Sequence, residues 1–491
     1  MQNLNESLQA KYPHLELAIL PLSQVKKGNE AFRIDSEPFK KSNLSLNSNI
    51  EYIKLSQIAT INPSKTEIQK YDENLEVTFL SMQNLGNGFV NERDKGAIKY
   101  FKSSYTYFAE NDILIAKITP CMEHGKCAIA TNLTNKIGFG STEFNVFRVK
   151  DSRFLQEFIF CYLNRDNIRK IAADNMVGTS GRQRVPTAFY ENLPIPLFPK
   201  PFQLEIEKLV KQSHEALEDS KRLYKEAQEL LYKELELDFK NPLKSLLKSS
   251  LQAKKPSELA IINDISKKYP HLNISVRPLS KSLYKSGRLD SEYYQSKYDA
   301  IERKIKDYQG GWGYVKTMFS RNNTTCNFLK DKYKYIEIGD INTSNGMASF
   351  NEIPTNELPA NAKIMIEKND ILISKVRPYR GAVAIIDFDI KDTIASGAFV
   401  VLRENGDFKK EVLQVLLRTT IYKEWLLKWN VGTSYPVIKD ENILDLPIPK
   451  INPATQEQIA LKIQKSFTLR AKSKDLLQNA KIKLENAIEN G

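Results

Sequence analysis

The sequence predicts an α/β protein made of two tandem α/β units, with two long helices separating and following them. Three observations predict it. First, the helix-length stretch Gln203 to Glu234 carries apolar or small residues at alternating steps of four and three: Ile206, Val210, Ser213, Leu217, Ser220, Tyr224, Ala227 and Leu231. That is the seam of a heptad helix, with Glu and Lys on its other faces. Second, the chain closes on a twin, Gln456 to Glu489, whose seam reads Ile459, Ile463, Ser466, Arg470, Ser473, Leu477, Ala480 and Leu484; Ile459 follows Ile206 by 253 residues. Third, short anchors repeat at nearly the same offset along the whole chain.

The anchors fix the order of the elements. Lys11-Tyr-Pro-His-Leu15 returns as Lys268-Tyr-Pro-His-Leu272, and Arg33-Ile-Asp-Ser-Glu37 as Arg288-Leu-Asp-Ser-Glu292. Asn111-Asp-Ile-Leu-Ile115 returns as Asn369-Asp-Ile-Leu-Ile373, with Lys117 matching Lys375 and Pro120 matching Pro378. Val177-Gly-Thr-Ser180 matches Val431-Gly-Thr-Ser434, and Leu193-Pro-Ile-Pro196 matches Leu446-Pro-Ile-Pro449. Between the anchors, residues 60–110 and 315–365 share little beyond pattern. A kept frame with changed contents suggests one kind of job on two targets.

Within each unit the period decides the elements. Val77 to Met82 and Tyr335 to Ile338 predict strands. Asp112 and Asp370 each close a polar turn before a short apolar run, Ile113–Ile115 or Ile371–Ile373, that reads as a buried strand. Asn145 to Val149 and Ala398 to Arg403 predict further strands, and helices follow over Phe154 to Asn164 and Lys410 to Trp429. The alternating prolines of the Leu-Pro-Ile-Pro segments forbid helix and hold the chain extended before each long helix. Residues 238–258 are lysine-rich and bracketed by prolines, which suits a solvated connector.

Length and composition bound the partners. A chain of 491 residues is too long for one ordinary domain. The net charge is +13 and the pI about 9.2, which favours an anionic partner, nucleic acid before a membrane surface. No apolar run reaches the roughly 18 residues of a membrane span. Met1 to Ala10 is polar and reads as no signal peptide. Four cysteines in a chain of this size do not make a disulfide framework, and a reduced, cytoplasmic setting follows most simply.

Catalytic chemistry finds little support. Cys121, His124 and Cys127 lack the spacing and the fourth ligand of a zinc site, and the matching segment Pro378 to Ala382 has neither Cys nor His. The Asn-Pro dipeptides are followed by Ser64, Leu243 or Ala454, so the Asn-Pro-Pro-aromatic motif of amino-methyltransferases is missing. A nuclease would place an acidic residue two before its lysine, where Ile115 and Ile373 stand. Binding chemistry remains. Thr179, Ser180, Arg182, Gln183 and Arg184 bring guanidinium, amide and hydroxyl groups into one glycine-bracketed loop, a set that suits phosphates and base edges. The second copy offers Thr433, Ser434 and Tyr435 without the arginines. Lys117 and, in the second copy, Lys375, Arg377 and Arg380 form further basic sites just after a buried strand.

The Gly-Thr-Ser loop, the Leu-Pro-Ile-Pro segment, the proline-led start of each long helix (Lys200-Pro-Phe-Gln203; Pro453-Ala-Thr-Gln456), the helix itself and the duplication recur twice in one order. In this the chain resembles the DNA-specificity (S) subunits of type I restriction–modification systems and the S-like subunits of related type IIB and IIG systems. The resemblance covers nearly the whole chain. It implies a first target recognition domain over 1–200 with an N-terminal extension 1–48, a spacer helix 201–238, a connector 239–267, a second recognition domain 268–450 and a second spacer helix 451–491. It implies that the helices form an antiparallel coiled coil of pseudo-twofold symmetry that sets the gap between two DNA half-sites. Ile206 to Leu231 would span roughly 39 Å at ~1.5 Å per residue, about one turn of B-DNA. Expected partners are double-stranded DNA, two methyltransferase subunits and restriction subunits. S-adenosylmethionine, ATP and Mg²⁺ are expected on those partners and no cofactor or metal on this chain. Two other readings stay open on the sequence: a coiled-coil adaptor without DNA contact, and a self-contained methyltransferase or nuclease.

Overall fold

In the computed structural model the chain divides into two bodies, Met1–Leu217 with Arg470–Gly491, and Glu218–Leu469. Each body therefore contains part of both long helices. The structure describes residues 2–15, 17, 19–26, 34–36, 39–40, 47–179, 181–246, 268–269, 277, 279–280, 282, 286–388, 390–406, 408–432 and 435–490. Most of the connector, 247–267, and much of the anchors at 33–37 and 268–272 lie outside them.

Among the described residues the first body holds ten strands: β1 (Tyr52–Lys54), β2 (Ala59–Ile61), β3 (Glu76–Leu80), β4 (Asp94–Ala97), β5 (Thr106–Ala109), β6 (Ile113–Ala116), β7 (Cys127–Ile129), β8 (Ile137–Gly140), β9 (Phe144–Val149) and β10 (Pro194–Pro196). One four-stranded sheet runs β2-β9-β6-β7 and is antiparallel throughout; a second runs β4-β3-β8-β5, with β3 and β8 parallel. The apolar run of β6 is buried on both faces. Ile113 and Ile115 join the core shared with the following helices, whereas Leu114 and Ala116 join a second core, as the two-residue alternation of a strand requires. The Leu-Pro-Ile-Pro segment is a strand, β10, paired with β1. Its prolines are tolerated because a two-stranded ladder leaves outer N–H positions unused.

The second body repeats this plan with β11 (Trp312–Tyr314), β12 (Phe319–Arg321), β13 (Lys332–Ile336), β14 (Ile341–Asn342), β15 (Met347–Ala348), β16 (Asn351–Pro354), β17 (Ala362–Met365), β18 (Ile371–Ser374), β19 (Val383–Ile385), β20 (Thr393–Ser396), β21 (Phe399–Glu404) and β22 (Pro447–Pro449). Its sheets run β12-β21-β18-β19 and β16-β13-β20-β17, with β13 and β20 parallel, and β11 pairs β22. The hairpin β14–β15 is added. The helix expected over Lys410 to Trp429 is instead broken into Lys410–Leu417 and Thr420–Leu426, because Thr419 caps the second piece by accepting Tyr422 N–H at 3.3 Å.

The repeated Asp before the buried strand has a defined role. Asp112 is buried, accepts two bonds from Arg148 of β9 at 2.8 and 2.7 Å and one from the Ala109 N–H at 2.7 Å. Asp370 does the same with Arg403 of β21 at 2.9 and 3.2 Å and the Glu367 N–H at 2.8 Å. Asn111 and Asn369 sit in the left-handed region at φ 72° and 76°, a conformation that Asn tolerates better than most residues.

The long helices run Lys200–Glu234 and Pro453–Asn490. In the first body Ser213 Oγ donates to the Ser473 carbonyl at 2.6 Å, and Lys483 pairs with Glu205. In the second, Ser466 Oγ donates to the Ser220 carbonyl at 2.8 Å and Lys462 pairs with Glu226 at 2.5 Å. Residue numbers fall on one helix as they rise on the other, so within each body the segments are antiparallel. The seam residues Ile206, Val210, Ser213, Leu217, Ser220, Tyr224, Ala227, Leu231, Ile459, Ile463, Ser466, Ser473, Leu477, Ala480 and Leu484 are all buried. The Gln that opens each helix is a staple. Gln203 accepts the Leu155 N–H at 2.8 Å and donates to the Arg153 and Phe198 carbonyls at 2.9 and 2.8 Å. Gln456 accepts the Lys409 N–H at 2.9 Å and donates to the Ile451 carbonyl at 3.0 Å. Among the described residues no helix is long and apolar enough to cross a membrane.

Candidate nucleic-acid interface

The residues that the sequence put in separate basic sites come together in each body. In the first, the chain leaves β6 at Lys117, whose N–H donates to the Glu143 carbonyl at 2.9 Å. The Lys117 carbonyl accepts the Val185 N–H at 2.9 Å, and the Thr119 N–H donates to the Gln183 carbonyl at 3.0 Å. Val177 and Arg184 exchange two backbone bonds of 2.9 Å. The loop carrying Thr179, Arg182, Gln183 and Arg184 is thus a closed hairpin laid on the segment after β6. Gly178 closes it at φ 121°, where a Cβ would also meet the Arg182 carbonyl at 3.0 Å.

The second body uses the same register. The Lys375 N–H donates to the Ala398 carbonyl at 2.9 Å, Ile438 N–H to the Lys375 carbonyl at 3.0 Å and Arg377 N–H to the Pro436 carbonyl at 2.8 Å. Val431 and Val437 exchange bonds of 3.1 and 3.0 Å. The backbone at Lys375 and Arg377 is therefore paired with the segment that follows Tyr435. Ser180, Thr433 and Ser434 lie outside the described residues.

The side chains are not equivalent. Arg184 is held by Glu143 at 2.9 and 2.7 Å and also donates to the Arg182 carbonyl at 3.1 Å. That guanidinium holds the Glu143 carboxyl below the usual carboxylate range. Arg182 and Thr179 are exposed, and Lys117 and Gln183 half-buried. In the second body Lys375 pairs with Asp440 at 2.9 Å, and Arg321 binds the same carboxylate. Arg377 stacks over the Tyr435 ring at 4.7 Å, and Tyr435 is 69% exposed. Arg380 is exposed. Such a surface offers fixed donors and one aromatic face, the groups that position phosphates and stack on bases.

Sequence reasoning sought cations and so missed the two carboxylates, Glu143 and Asp440, that decide which cations are available. Aligning the copies would have flagged Glu143: Arg184 corresponds to Val437 and Glu143 to Ala398, so both partners change together. Cys127 lies in β7, where burial pushes its thiol up to about 12. Among the described residues no group of three or more His, Cys, Asp or Glu could hold a metal ion.

Residues 47–227 match the type I restriction modification DNA specificity domain. The type I restriction enzyme EcoEI specificity subunit of Escherichia coli is 35% identical over 187 residues, 37% of this chain and 30% of its own length. The EcoAI specificity subunit, also of Escherichia coli, is 37% identical over 151 residues, 30% of this chain and 25% of its own. The matched stretch thus spans under a third of either relative. A solved type I restriction-modification S subunit from M. genitalium covers 90% of this chain and 97% of its own at 13% identity and a TM-score of 0.36, too weak a likeness for geometric comparison. Over residues 47–227 the chain is therefore similar to the specificity subunits of type I restriction-modification systems.

Proposed function

We propose that this chain is a DNA sequence-recognition subunit that binds a bipartite DNA site and directs partner methyltransferase and restriction subunits to it. The observation that carries the reading is the twofold occurrence of one frame with different contents. The same hairpin lies in the same register on the segment after β6 and after β18, yet one presents Arg182 and Gln183 and the other Tyr435 with Arg377. Two bodies that keep a backbone and change the groups it displays suit two different half-sites.

On this reading residues 1–200 and 268–450 are target recognition domains, 201–238 and 451–491 are spacer helices, and 239–267 connects the copies. The spacer helices form an antiparallel coiled coil of pseudo-twofold symmetry that holds the half-sites about one helical turn of DNA apart. The chain works in the cytoplasm and is itself non-catalytic. S-adenosylmethionine, ATP and Mg²⁺ belong to two methyltransferase subunits and to restriction subunits. The DNA contacts fall on Lys117, Thr179, Ser180, Arg182, Gln183, Lys375, Arg377, Arg380, Thr433, Ser434 and Tyr435, with Arg184 in the same loop. A gel shift of the chain assembled with its methyltransferase partner should retard one duplex from a sequence-diverse panel in preference to the rest. Equal retardation of all duplexes across a salt series would sink the reading.

A further inference from the structure

The two arginines of the first loop, Arg182 and Arg184, are two residues apart in sequence yet placed in opposite circumstances. Arg184 makes a bidentate pair with Glu143 at 2.9 and 2.7 Å, and its remaining nitrogen donates to the Arg182 carbonyl at 3.1 Å. Its guanidinium therefore ties the loop backbone at Arg182 to the turn before β9. That turn is itself fixed, since the Glu143 carbonyl accepts the Lys117 N–H at 2.9 Å and the Glu143 N–H reaches Ser141 Oγ at 3.2 Å. The Arg182 guanidinium is exposed and meets no partner among the described residues.

Stability is a poor explanation for the clamp. The Arg184 and Glu143 side chains keep 44% and 22% of their exposure, and pairs this wet add little to folding. A carboxylate on a surface meant for DNA also repels phosphate, so its presence needs a reason. The second body supplies the contrast. Val437 stands where Arg184 does and Ala398 where Glu143 does, while the backbone bonds of the register are kept. The register thus forms without the clamp, and the clamp occurs only where an unpaired arginine rides on the loop.

From this, and resting on the DNA-recognition reading above, we infer that Glu143 is a positioning residue for DNA discrimination. It withdraws Arg184 from the DNA and uses it to hold the loop, so that Arg182 is the one guanidinium of this loop delivered to the nucleic acid. A loop held before binding loses less freedom on contact, and one neutralised arginine limits sequence-independent attraction to phosphate.

The test uses the full chain assembled with its methyltransferase partner. A randomised duplex library is selected on the wild-type assembly, and the enriched duplex and a scrambled one are then titrated against each variant. Arg182→Ala should weaken binding to the enriched duplex by roughly tenfold or more. Glu143→Gln should free Arg184, so binding to the scrambled duplex holds or tightens while the enriched-to-scrambled ratio falls by about tenfold. Adding Arg184→Met to Glu143→Gln should bring the scrambled binding back down. A merely structural Glu143 would instead weaken both duplexes together, and that result, or unchanged affinity in Arg182→Ala, would overturn the inference. Because Arg182 is exposed and unpaired, its variant tests the inference even if Glu143→Gln folds poorly. Failure of the wild-type assembly to enrich any sequence is a different outcome, and it overturns the DNA reading underneath.

Discussion

Replacing Asp112 by alanine should destabilise the first body by about 3 kcal/mol. The side chain is 1% exposed and takes three hydrogen bonds, two from Arg148 at 2.8 and 2.7 Å and one from the Ala109 N–H at 2.7 Å. Removing one partner of a fully buried pair costs ~3–5 kcal/mol. Arg148 keeps 28% exposure and a second carboxylate, Glu67, at 2.6 Å, so water and Glu67 soften the loss and the lower end applies. In a body of roughly 150–250 residues each kcal/mol moves the melting point by about 2–4 °C, which gives a fall of about 6–12 °C. Asp112→Asn keeps an acceptor for the Ala109 N–H and for one guanidinium nitrogen, and should lose about half as much. Scanning calorimetry reads the shift, and hydrogen exchange of β6 amides reports whether the loss is local. A fall under about 2 °C in the alanine variant, with β6 protection unchanged, would refute the assignment of this pair as a fastener of the central sheet.

Further outcomes follow from the same contacts. Gln203→Ala removes three bonds from a fully buried side chain and should cost about 2–3 kcal/mol in urea unfolding, whereas a change within error would mean that the staple is idle. A heptad inserted into both long helices, after Leu217 and before Arg470, should lengthen the spacer by about 10 Å. The selected DNA gap should then widen by about three base pairs with both half-sites unchanged; an altered half-site would contradict the ruler. The carboxyls of Glu67 and Glu143 are held below the usual range by Arg148 and Arg184. Their contribution to stability is therefore complete above the unfolded carboxylate value of about 4.3 and lost as pH falls through their lower folded values. The Glu67→Gln variant should show a shallower acid loss of urea midpoint than the wild type, and parallel curves would count against the Glu67–Arg148 ion pair.

Legibility followed the range of the interactions. The helix seam from Ile206 to Leu231 was readable because burial repeats with the helix period, and the structure buries every one of its members. The buried strands Ile113–Ile115 and Ile371–Ile373 stood out as short apolar runs behind a polar turn. What the turn Asp does was hidden, because Arg148 and Arg403 reach it only once β9 and β21 lie beside β6 and β18. The Gln at each helix start was visible as a repeated letter, but its staple joins segments 48 or 47 residues apart in the chain. The break at Thr419 was missed because a local cap outweighed an apolar period that ran straight through it. The basic loop residues were chosen by chemistry, and their assembly with Lys117 and Lys375 depends on backbone pairing across more than 60 residues, as between Thr119 and Gln183.

On the proposed reading, this chain chooses the DNA sequence on which an assembly acts. Base-resolved methylome sequencing of the host, with and without the gene for this chain, tests it most directly. The expected result is one bipartite motif, two half-sites separated by a fixed gap, that is methylated in the first strain and unmethylated in the second. An identical methylome in the two strains, with the partner methyltransferase expressed in both, would contradict it.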